Sequence, residues 1–318
     1  MTWVVGASTI FGYGLIVSDI CVTFRKMDGS KETRDCLQKI YPIAPSIVAG
    51  FSGSVRIGFE LIDDLQRFLP PLEKGMAWQP EWVAENWKER AQKLFDGFPQ
   101  IEKDATASII MVGLHPTKHI GIPEMARIYV VTMNSWEGFV PKITTAPSES
   151  QSIGSGSIVG EYRTAVRELV QDFHPMMQME VGNLGGWGKS IAIDISAAIR
   201  KRPTIGVSEH LHIGIVTRDR LIVNNNDCVE YPESGEKIHH IGGRGFITID
   251  VEKALQRAKL PEAERPSPQK VELKMPSVAQ NYPEFLKMAK DFGLATAEAS
   301  ASLQKIPDSV PIGLKGRS

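Results

Sequence analysis

The sequence is poor in cysteine, and it lacks the spacings that cysteine-based folds and redox sites need. Its 318 residues contain three cysteines, Cys21, Cys36 and Cys228. An odd number at such wide spacing supplies neither a CxxC pair nor a disulfide framework, which fits a protein of the reducing cytoplasm. A chain of this length buries enough apolar surface to fold without disulfides or a structural metal.

An excess of charge of either sign is also missing. The chain carries 36 Lys and Arg residues against 37 Asp and Glu residues, a formal net charge of −1. This balance argues against a strongly basic nucleic-acid-binding protein and against an acidic disordered tail. With 42% hydrophobic and 23% charged residues, the composition is typical of a soluble globular protein.

Long apolar runs are absent as well. None reaches the roughly 18 residues of a membrane span, so we expect no transmembrane helix. The first twenty residues are apolar in places, but they have no basic segment, and Asp19 interrupts the run. We therefore expect no secretory signal, a cytoplasmic location and no membrane partner.

The hydrophobic pattern predicts that strands and helices occur in separate groups along the chain. Short runs rich in β-branched residues predict the first strands, at residues 2–6, 15–18, 21–24, 39–43 and 46–51. Helical spacing of apolar residues then predicts one helix after Gly53 and a second over 82–98. The same rules predict later strands at 106–114, 127–133, 138–144, 210–216 and 221–223, and later helices at 158–173 and 189–200.

This segregation predicts an α+β fold, with helices packed outside antiparallel sheets rather than alternating with parallel strands. The signals weaken after about residue 235. We therefore assign residues 2–235 to one domain and 236–318 to a C-terminal extension or arm, partly extended and with one or two helices. Residues 260–277 contain four prolines and many charges, which is typical of a linker or a surface arm. A last helix is predicted within 281–292.

Two glycine-rich segments come close to nucleotide-binding motifs without matching them. In GNLGGWGKS, residues 182–190, Asn183 stands where a phosphate-binding loop needs its first glycine. A glycine-rich helix start is the better interpretation, and nucleotide binding stays a minor hypothesis. The segment 154–160 has three residues instead of two before its last glycine and lacks a βαβ context, which argues against a dinucleotide site.

The histidines offer at most half of a metal site. On a strand, His210 and His212 would share one face, as two ligands of one metal ion must. The sequence signals no third ligand, so we interpret both as polar strand positions. We expect no metal and no cofactor.

The N-terminus carries a candidate nucleophile. Thr2 directly follows the initiator Met1, and a residue this small normally allows Met1 to be removed. The exposed threonine then has a hydroxyl and a free α-amine, a group whose ordinary pKa of about 7.7–8.0 suits a general base at neutral pH. A threonine with its own terminal amine is a recognised nucleophile–base pair.

Further polar groups follow at defined spacings. GLIVSDICVT places Asp19 at the end of an apolar strand, and QKIYPIAPSIVAGFSG places Lys39 before a hairpin and Gly53 at a strand-to-helix junction. Together with TASIIMVGL, ARIYVVT and the turn IGSGS, these segments resemble the proteasome β-subunit family and its bacterial HslV-type and Anbu-type relatives. The resemblance covers most of residues 2–225, and from Lys39 to Gly53 it needs no gap.

The resemblance implies a four-layer αββα sandwich of the N-terminal nucleophile hydrolase type and a threonine-type peptidase. Carried over to this sequence, Thr2 is the nucleophile, Lys39 lowers the pKa of its hydroxyl, and Asp19 holds Lys39 in place. The N–H of Gly53 is the implied oxyanion donor. Ser155 is expected to support the Thr2 amine and its water network.

The resemblance also implies a substrate cleft. Thr23 is expected to bind the substrate main chain as an added strand. The implied pocket walls are apolar residues, namely Val22, Leu37, Tyr41, Phe51 and Val55. None of these walls is charged, so we expect a small or medium-sized apolar residue before the cut, because a charge would be buried there without a partner.

Two departures from the family pattern bear on activity more than on fold. Cys21 stands where the family commonly has an arginine. The family's Asp-x-x-Ser segment, which supports the N-terminus, is replaced by KRPTIGVSEHLHI, where either Thr204 or Ser208 could substitute. The alternative to a peptidase is therefore an inactive proteasome-like scaffold or binding protein that retains Met1.

The family also implies an assembly. We expect a homo-oligomer that encloses the active sites, with peptides or unfolded proteins as substrates. The 260–318 arm is the element expected to reach a neighbouring subunit, and the sequence does not identify an unfoldase partner.

Overall fold

The computed structural model describes residues 2–9, 12–25, 29–70, 77–120, 122–171, 195–217, 221–224, 228–230, 236–241, 244–249, 259, 261 and 277–294. Within these residues, helices are combined with sheets whose paired strands are antiparallel. The α+β class predicted from the segregated pattern is confirmed.

Two five-stranded antiparallel sheets form the centre of the molecule. In spatial order, sheet I consists of β10 (Ser150–Gly154), β1 (Trp3–Ser8), β2 (Gly14–Asp19), β11 (Leu211–Val216) and β12 (Leu221–Asn224). Sheet II consists of β5 (Ile40–Ala44), β6 (Ile47–Gly53), β7 (Ala107–Ile120), β8 (Ile122–Asn134) and β9 (Lys142–Thr144). The first residues of the chain therefore lie in the interior of sheet I, between two partner strands.

Two smaller sheets lie outside this pair. One is the hairpin of β3 (Cys21–Arg25) and β4 (Lys31–Asp35), and the other consists of β13 (Cys228–Glu230), β14 (Glu236–Ile241) and β15 (Arg244–Ile249). The apolar pattern does not predict β4, β14 or β15. In β4 the sequence is KETRD and no residue is buried, so there is no alternation of apolar and polar residues to find.

The described helices follow the helical spacing of the sequence. They are α1 (Val55–Phe68), α2 (Pro80–Asp96), α3 (Gln100–Lys103), α4 (Gly160–Gln171), α5 (residues 195–201) and α6 (Tyr282–Asp291). Ser54 caps α1, because its Oγ accepts a hydrogen bond from the N–H of Ile57 at 3.4 Å. The helix predicted over 189–200 lies partly outside the described residues.

Three apolar clusters hold these elements together. One lies between the two sheets and joins Val4 and Ile16 of sheet I to Val48 of sheet II. A second lies between the other face of sheet II and α1, α2 and α6, and the third between the other face of sheet I and helices α4 and α5. Each fully buried aliphatic or aromatic side chain in such a cluster contributes roughly 1.5–3 kcal/mol.

The described part of the C-terminal region contacts its own chain. Ala279, Phe285 and Leu294 belong to the same apolar cluster as α1 and α2. Residues 277–294 are thus packed against their own chain, and the expectation that the 260–318 arm reaches a neighbouring subunit stays a prediction. The proline-rich residues 262–276 lie outside the described residues.

In the part of the chain that the structure describes, no helix is both long enough and apolar enough to cross a membrane.

Candidate active site

Thr2 lies at the start of β1, held by the turn that follows β10. Its N–H donates to Ser155 Oγ at 3.2 Å, and its carbonyl oxygen accepts from Ser155 Oγ at 3.3 Å and from Gly156 N–H at 3.4 Å. The antiparallel pairing of β1 with β10 sets Trp3 opposite Gly154, which brings this turn to the N-terminus. Two residues expected to act together, Thr2 and Ser155, are therefore in direct contact.

Gly154 makes this contact sterically possible. Its φ of +85° lies in the left-handed region that favours glycine, and an added Cβ would lie 2.0 Å from the carbonyl oxygen of Thr2. Any larger residue would force the turn and β1 apart. The glycine of the GSGS turn thus sets the distance between Thr2 and Ser155.

Asp19 and Lys39 form a fully buried ion pair. Lys39 Nζ lies 2.8 Å from Asp19 Oδ1, and neither side chain exposes any surface. Lys39 Nζ also donates to the carbonyl oxygen of Cys21 at 2.7 Å. Two of the three N–H donors of the ammonium group are thus used, because a lysine carries three.

The same carboxylate also binds the main chain beside Thr2. Asp19 Oδ1 accepts from the N–H of Trp3 at 2.7 Å, and Oδ2 accepts from the N–H of Cys21 at 3.0 Å. Burial raises the pKa of Asp19 above its ordinary value, although Lys39 and these two N–H groups act in the opposite direction. The ion pair is therefore linked by one hydrogen bond to the residue that follows the candidate nucleophile.

Gly53 lies at the junction of β6 and α1, with a φ of +101°. A Cβ at this position would lie 2.3 Å from the carbonyl oxygen of Thr106, so only glycine fits. The chain is fixed immediately afterwards, because Ser54 N–H donates to the same carbonyl oxygen at 3.0 Å.

Thr2, Gly53 and Ser155 line one cleft with a volume of about 860 Å³. Asp19 and Lys39 do not line it and lie beneath its surface. The structure therefore brings three of the five expected catalytic residues to a common opening, with the charged pair buried behind Thr2.

The expected substrate-binding residues divide into two groups. Val22, Thr23 and Val55 line the cleft. The others, Leu37, Tyr41 and Phe51, do not line it: they are 1%, 9% and 1% exposed and belong to the apolar cluster beneath α1 and α6. For Leu37 and Tyr41, sequence spacing alone could not reveal this, because they contact residues 279 and 280, which are far away in the chain.

The cleft walls also differ in polarity from the uncharged pocket expected from the sequence. Hydroxyl and amide side chains are frequent, among them Ser52, Ser108, Thr132 and Gln151. Charged residues contribute as well, namely Lys31, Glu102, Asp104 and Lys142. These charges come mainly from α3, β4 and β9, whose position beside the cleft no sequence motif indicates.

Glu102 is the most buried of these charged residues. Its side chain is 2% exposed, and Oε1 lies 2.8 Å from Arg56 Nη1. Oε2 is buried and receives no hydrogen bond from the described residues. The Arg56–Glu102 pair thus leaves one unsatisfied acceptor at the wall of the cleft.

Ser208 also lies beside the buried pair. Its N–H donates to Asp19 Oδ2 at 3.3 Å, and its Oγ donates to Asp35 Oδ2 at 2.7 Å. Thr204, the other candidate for the family's missing support, instead contacts the hydroxyl of Tyr162 at 3.2 Å. The structure thus distinguishes two residues that the sequence left equivalent.

A histidine completes this neighbouring cluster. His210 Nδ1 lies 2.7 Å from Asp35 Oδ2, and the His210 N–H donates to Ser208 Oγ at 2.9 Å. Burial alone would raise the pKa of Asp35, but the hydrogen bonds from His210 and Ser208 outweigh it and leave the pKa below its usual value.

Cys21 and Cys36 do not offer a competing nucleophile. Burial raises the pKa of Cys21 to about 12 and that of Cys36 to about 12. Neither thiol therefore forms the reactive thiolate near neutral pH.

Metal and nucleotide sites gain no support from the described residues. Within those ranges, no group of three or more His, Cys, Asp or Glu side chains is arranged to hold a metal ion. His210 pairs with Asp35, whereas His212 is buried in β11. The segment 154–160 follows a strand that is antiparallel to β1, and residues 182–190 lie outside the described residues.

No protein-family model matches the chain, and no curated protein is significantly similar to it in sequence.

Proposed function

We propose that this protein is an N-terminal-threonine peptidase of the proteasome β-subunit type, acting as a homo-oligomer in the cytoplasm. The proposed fold is a four-layer αββα sandwich. The three apolar clusters support it, because they order the elements as α1 and α2, sheet II, sheet I, then α4 and α5.

One observation carries the proposal. Thr2 shares an 860 Å³ cleft with Gly53 and Ser155, and the residue after Thr2 is hydrogen-bonded to the buried Asp19–Lys39 pair. Fully buried ion pairs are costly to form and contribute little net stability, so their presence beside a cleft supports a chemical role.

In the proposed mechanism, removal of Met1 leaves Thr2 with a free α-amine. The amine takes the proton of the Thr2 hydroxyl while the oxygen attacks the peptide carbonyl. The tetrahedral oxyanion accepts a hydrogen bond from the N–H of Gly53. Collapse breaks the C–N bond, the leaving amine takes the proton, and an ester acyl-enzyme remains for water to hydrolyse.

Lys39 supplies positive charge to this reaction. Asp19 and Cys21 use two of its N–H donors, and in the proposed mechanism the third serves the hydroxyl oxygen of Thr2. A nearby ammonium group stabilises the developing alkoxide of Thr2 and lowers the pKa of its hydroxyl. Ser155, already hydrogen-bonded to Thr2, would orient the freed amine.

A scaffold without activity is the second candidate, because Thr2 is only 7% exposed. Retention of Met1 would keep the Thr2 nitrogen in an amide, which cannot act as a base. The N-terminal mass of the purified protein therefore separates the two candidates.

The decisive experiment treats the purified protein with a peptide epoxyketone and measures intact mass and the modified residue. We expect loss of Met1 and a single adduct on Thr2. Thr2→Ala should not be labelled, whereas the matched control Thr164→Ala, on α4 and outside the cleft, should be labelled as the wild type is. An unlabelled wild type that retains Met1 would leave the scaffold as the better account.

A further inference from the structure

The segment 277–294 is joined to the cleft side of the molecule by main-chain hydrogen bonds. Ala279 N–H donates to the carbonyl oxygen of Cys36 at 2.8 Å, and Gln38 N–H donates to that of Ala279 at 3.0 Å. These two bonds form a parallel bridge between Leu37 and Ala279. Segment 277–294 therefore pairs with the residues that directly precede Lys39.

Side chains extend the contact over the residues expected to form the pocket. The single hydroxyl proton of Tyr41 is shared between the carbonyl oxygens of Gln38 at 2.9 Å and Gln280 at 3.1 Å, and burial raises the pKa of Tyr41, so this proton is retained. The ring of Tyr282 lies 6.5 Å from that of Phe59. Leu37 and Tyr41 are therefore covered by this segment instead of facing the cleft.

Phe285 of α6 lines the cleft, whereas Leu37 and Tyr41 do not. Its ring stacks on that of Phe24, with centroids 5.6 Å apart and planes within 8°. Phe285 lines the cleft together with Val22, Phe24 and Val55. The apolar part of the cleft is thus built from β3, α1 and a helix more than two hundred residues further along the chain.

Hydrogen bonds fix the start of α6, as a permanent wall of the cleft requires. Asn281 caps the helix by accepting from the N–H of Glu284 at 3.0 Å, and Glu284 Oε2 accepts from the N–H of Gln280 at 2.8 Å. Ala289 and Leu294 bury the far end, at 1% and 4% exposed. The helix that carries Phe285 is therefore fixed at both of its ends.

We infer that α6 is a wall of the substrate cleft and that Phe285 limits the size of the side chain preceding the cut. This inference rests on the proposed peptidase function and identifies the substrate class as peptides with a small apolar residue, such as alanine, at that position. Because Phe285 forms a wall at the apolar end of the cleft, its ring occupies volume that a larger side chain before the cut would need. One methylene group more or less in such a pocket changes selectivity by about 10-fold to 200-fold.

The test compares kcat/KM for fluorogenic peptides that differ only in the residue before the cut: Ala, Leu or Phe. The wild type should prefer Ala. In Phe285→Ala, the ratio of Leu to Ala and that of Phe to Ala should each rise by at least about tenfold. Phe285→Leu keeps an apolar side chain in the core and should give a smaller rise in the same direction, even if the alanine variant folds poorly.

Met288→Ala is the matched control, because Met288 packs on the same apolar cluster from the same helix but does not line the cleft. It should lower the melting temperature and leave the Ala preference unchanged. An unchanged ranking in both Phe285 variants, or an equal change in Met288→Ala, would overturn the inference while peptidase activity remains. A wild type that cleaves no peptide and is not labelled at Thr2 would remove the proposed function, and this inference with it.

Discussion

At the scale of single residues, the candidate site depends on the carboxylate of Asp19. It binds Lys39 and accepts hydrogen bonds from the main-chain N–H groups of Trp3, Cys21 and Ser208, with N–O distances of 2.7–3.3 Å. Because one group holds both the cation and the chain next to Thr2, a change there alters the positions of both.

Thr2→Ala should abolish peptidase turnover, with kcat at least about a thousandfold lower, because it removes the attacking oxygen. Thr2→Ser keeps a hydroxyl and should retain measurable turnover. Peptide hydrolysis measured alongside circular dichroism and light scattering checks both expectations. Wild-type turnover in Thr2→Ala would show that Thr2 is not the nucleophile.

Asp19→Ala should lower the free energy of unfolding by about 3–5 kcal/mol, because it leaves the ammonium group of Lys39 buried without its partner. The double variant Asp19→Ala/Lys39→Met removes both charges and should recover most of this loss while remaining inactive. Urea unfolding and peptide hydrolysis of both variants measure the two effects separately. Equal instability of the single and double variants would mean that the unpaired charge is not the cause.

Part of this site can be predicted from sequence, and part cannot. Asp19, Lys39 and Gly53 lie at the ends of apolar strands, so short local patterns indicate them. The sequence left Ser208 equivalent to Thr204, because its role depends on a hydrogen bond to a residue 189 positions earlier. Phe285 is hidden for the same reason, since nothing near it in sequence marks a cleft.

At the scale of elements, α1 and α2 are joined by a carboxylate shared between two side chains. Asp64 Oδ2 accepts from Trp87 Nε1 at 2.9 Å, and both carboxylate oxygens accept from Arg90. Burial would raise the pKa of Asp64, but the hydrogen bonds from Arg90 and Trp87 lower it below its ordinary value. A group with a lowered pKa in the folded state contributes stability above its unfolded pKa and loses it as the pH falls.

We therefore expect the wild type to lose stability as the pH falls below about 4, the ordinary carboxyl pKa. In Asp64→Asn the loss between pH 5 and pH 3 should be smaller by about 1 kcal/mol, a modest value because Arg90 is half exposed and screened by solvent. Urea unfolding at both pH values measures this. Asp63→Asn, at the exposed neighbouring position, is the control, and its stability should depend on pH as that of the wild type does. If the stability of Asp64→Asn also fell as much as that of the wild type, the contact between Asp64 and Arg90 would not contribute to the pH dependence.

The turn between β10 and α4 gives a test of geometry. Gly154→Ala should push the turn away from the carbonyl oxygen of Thr2 and lower kcat by about a hundredfold, because a displacement of about 1 Å has that effect on a reacting group. Gly160→Ala is the matched control, since a Cβ there meets nothing within 4 Å. Steady-state kinetics measure kcat for both variants. Equal kcat values would mean that the position of Ser155 does not affect catalysis.

Elements differ in how well the sequence predicts them. In β6 the run IVAGFSG ends at glycine and is followed by a serine cap, so both the strand and the start of α1 can be read locally. In β4 the residues are charged and exposed, and the strand forms only because it pairs with β3. Hydrophobic patterns report burial, and a strand without burial leaves none.

At the scale of the whole molecule, the proposed function calls for an assembly that confines the active sites. Light scattering of the purified protein should give a mass several times 35.1 kDa. Even a peptidase that prefers one small residue would otherwise cut many exposed chains that are not its substrates. A monomer at micromolar concentration would contradict this prediction, and sedimentation velocity provides an independent check.

The attachment of α6 also has a consequence for synthesis on the ribosome. The stacked rings of Phe24 and Phe285 both line the cleft but lie far apart in the chain, so the two sides of the cleft are translated far apart in time. Thr2, Gly53 and Val55 are made long before the helix that carries Phe285. Under the proposed function, selectivity would then be the last property to form, and a nascent chain stalled before residue 277 would expose a cleft wider than that of the finished protein.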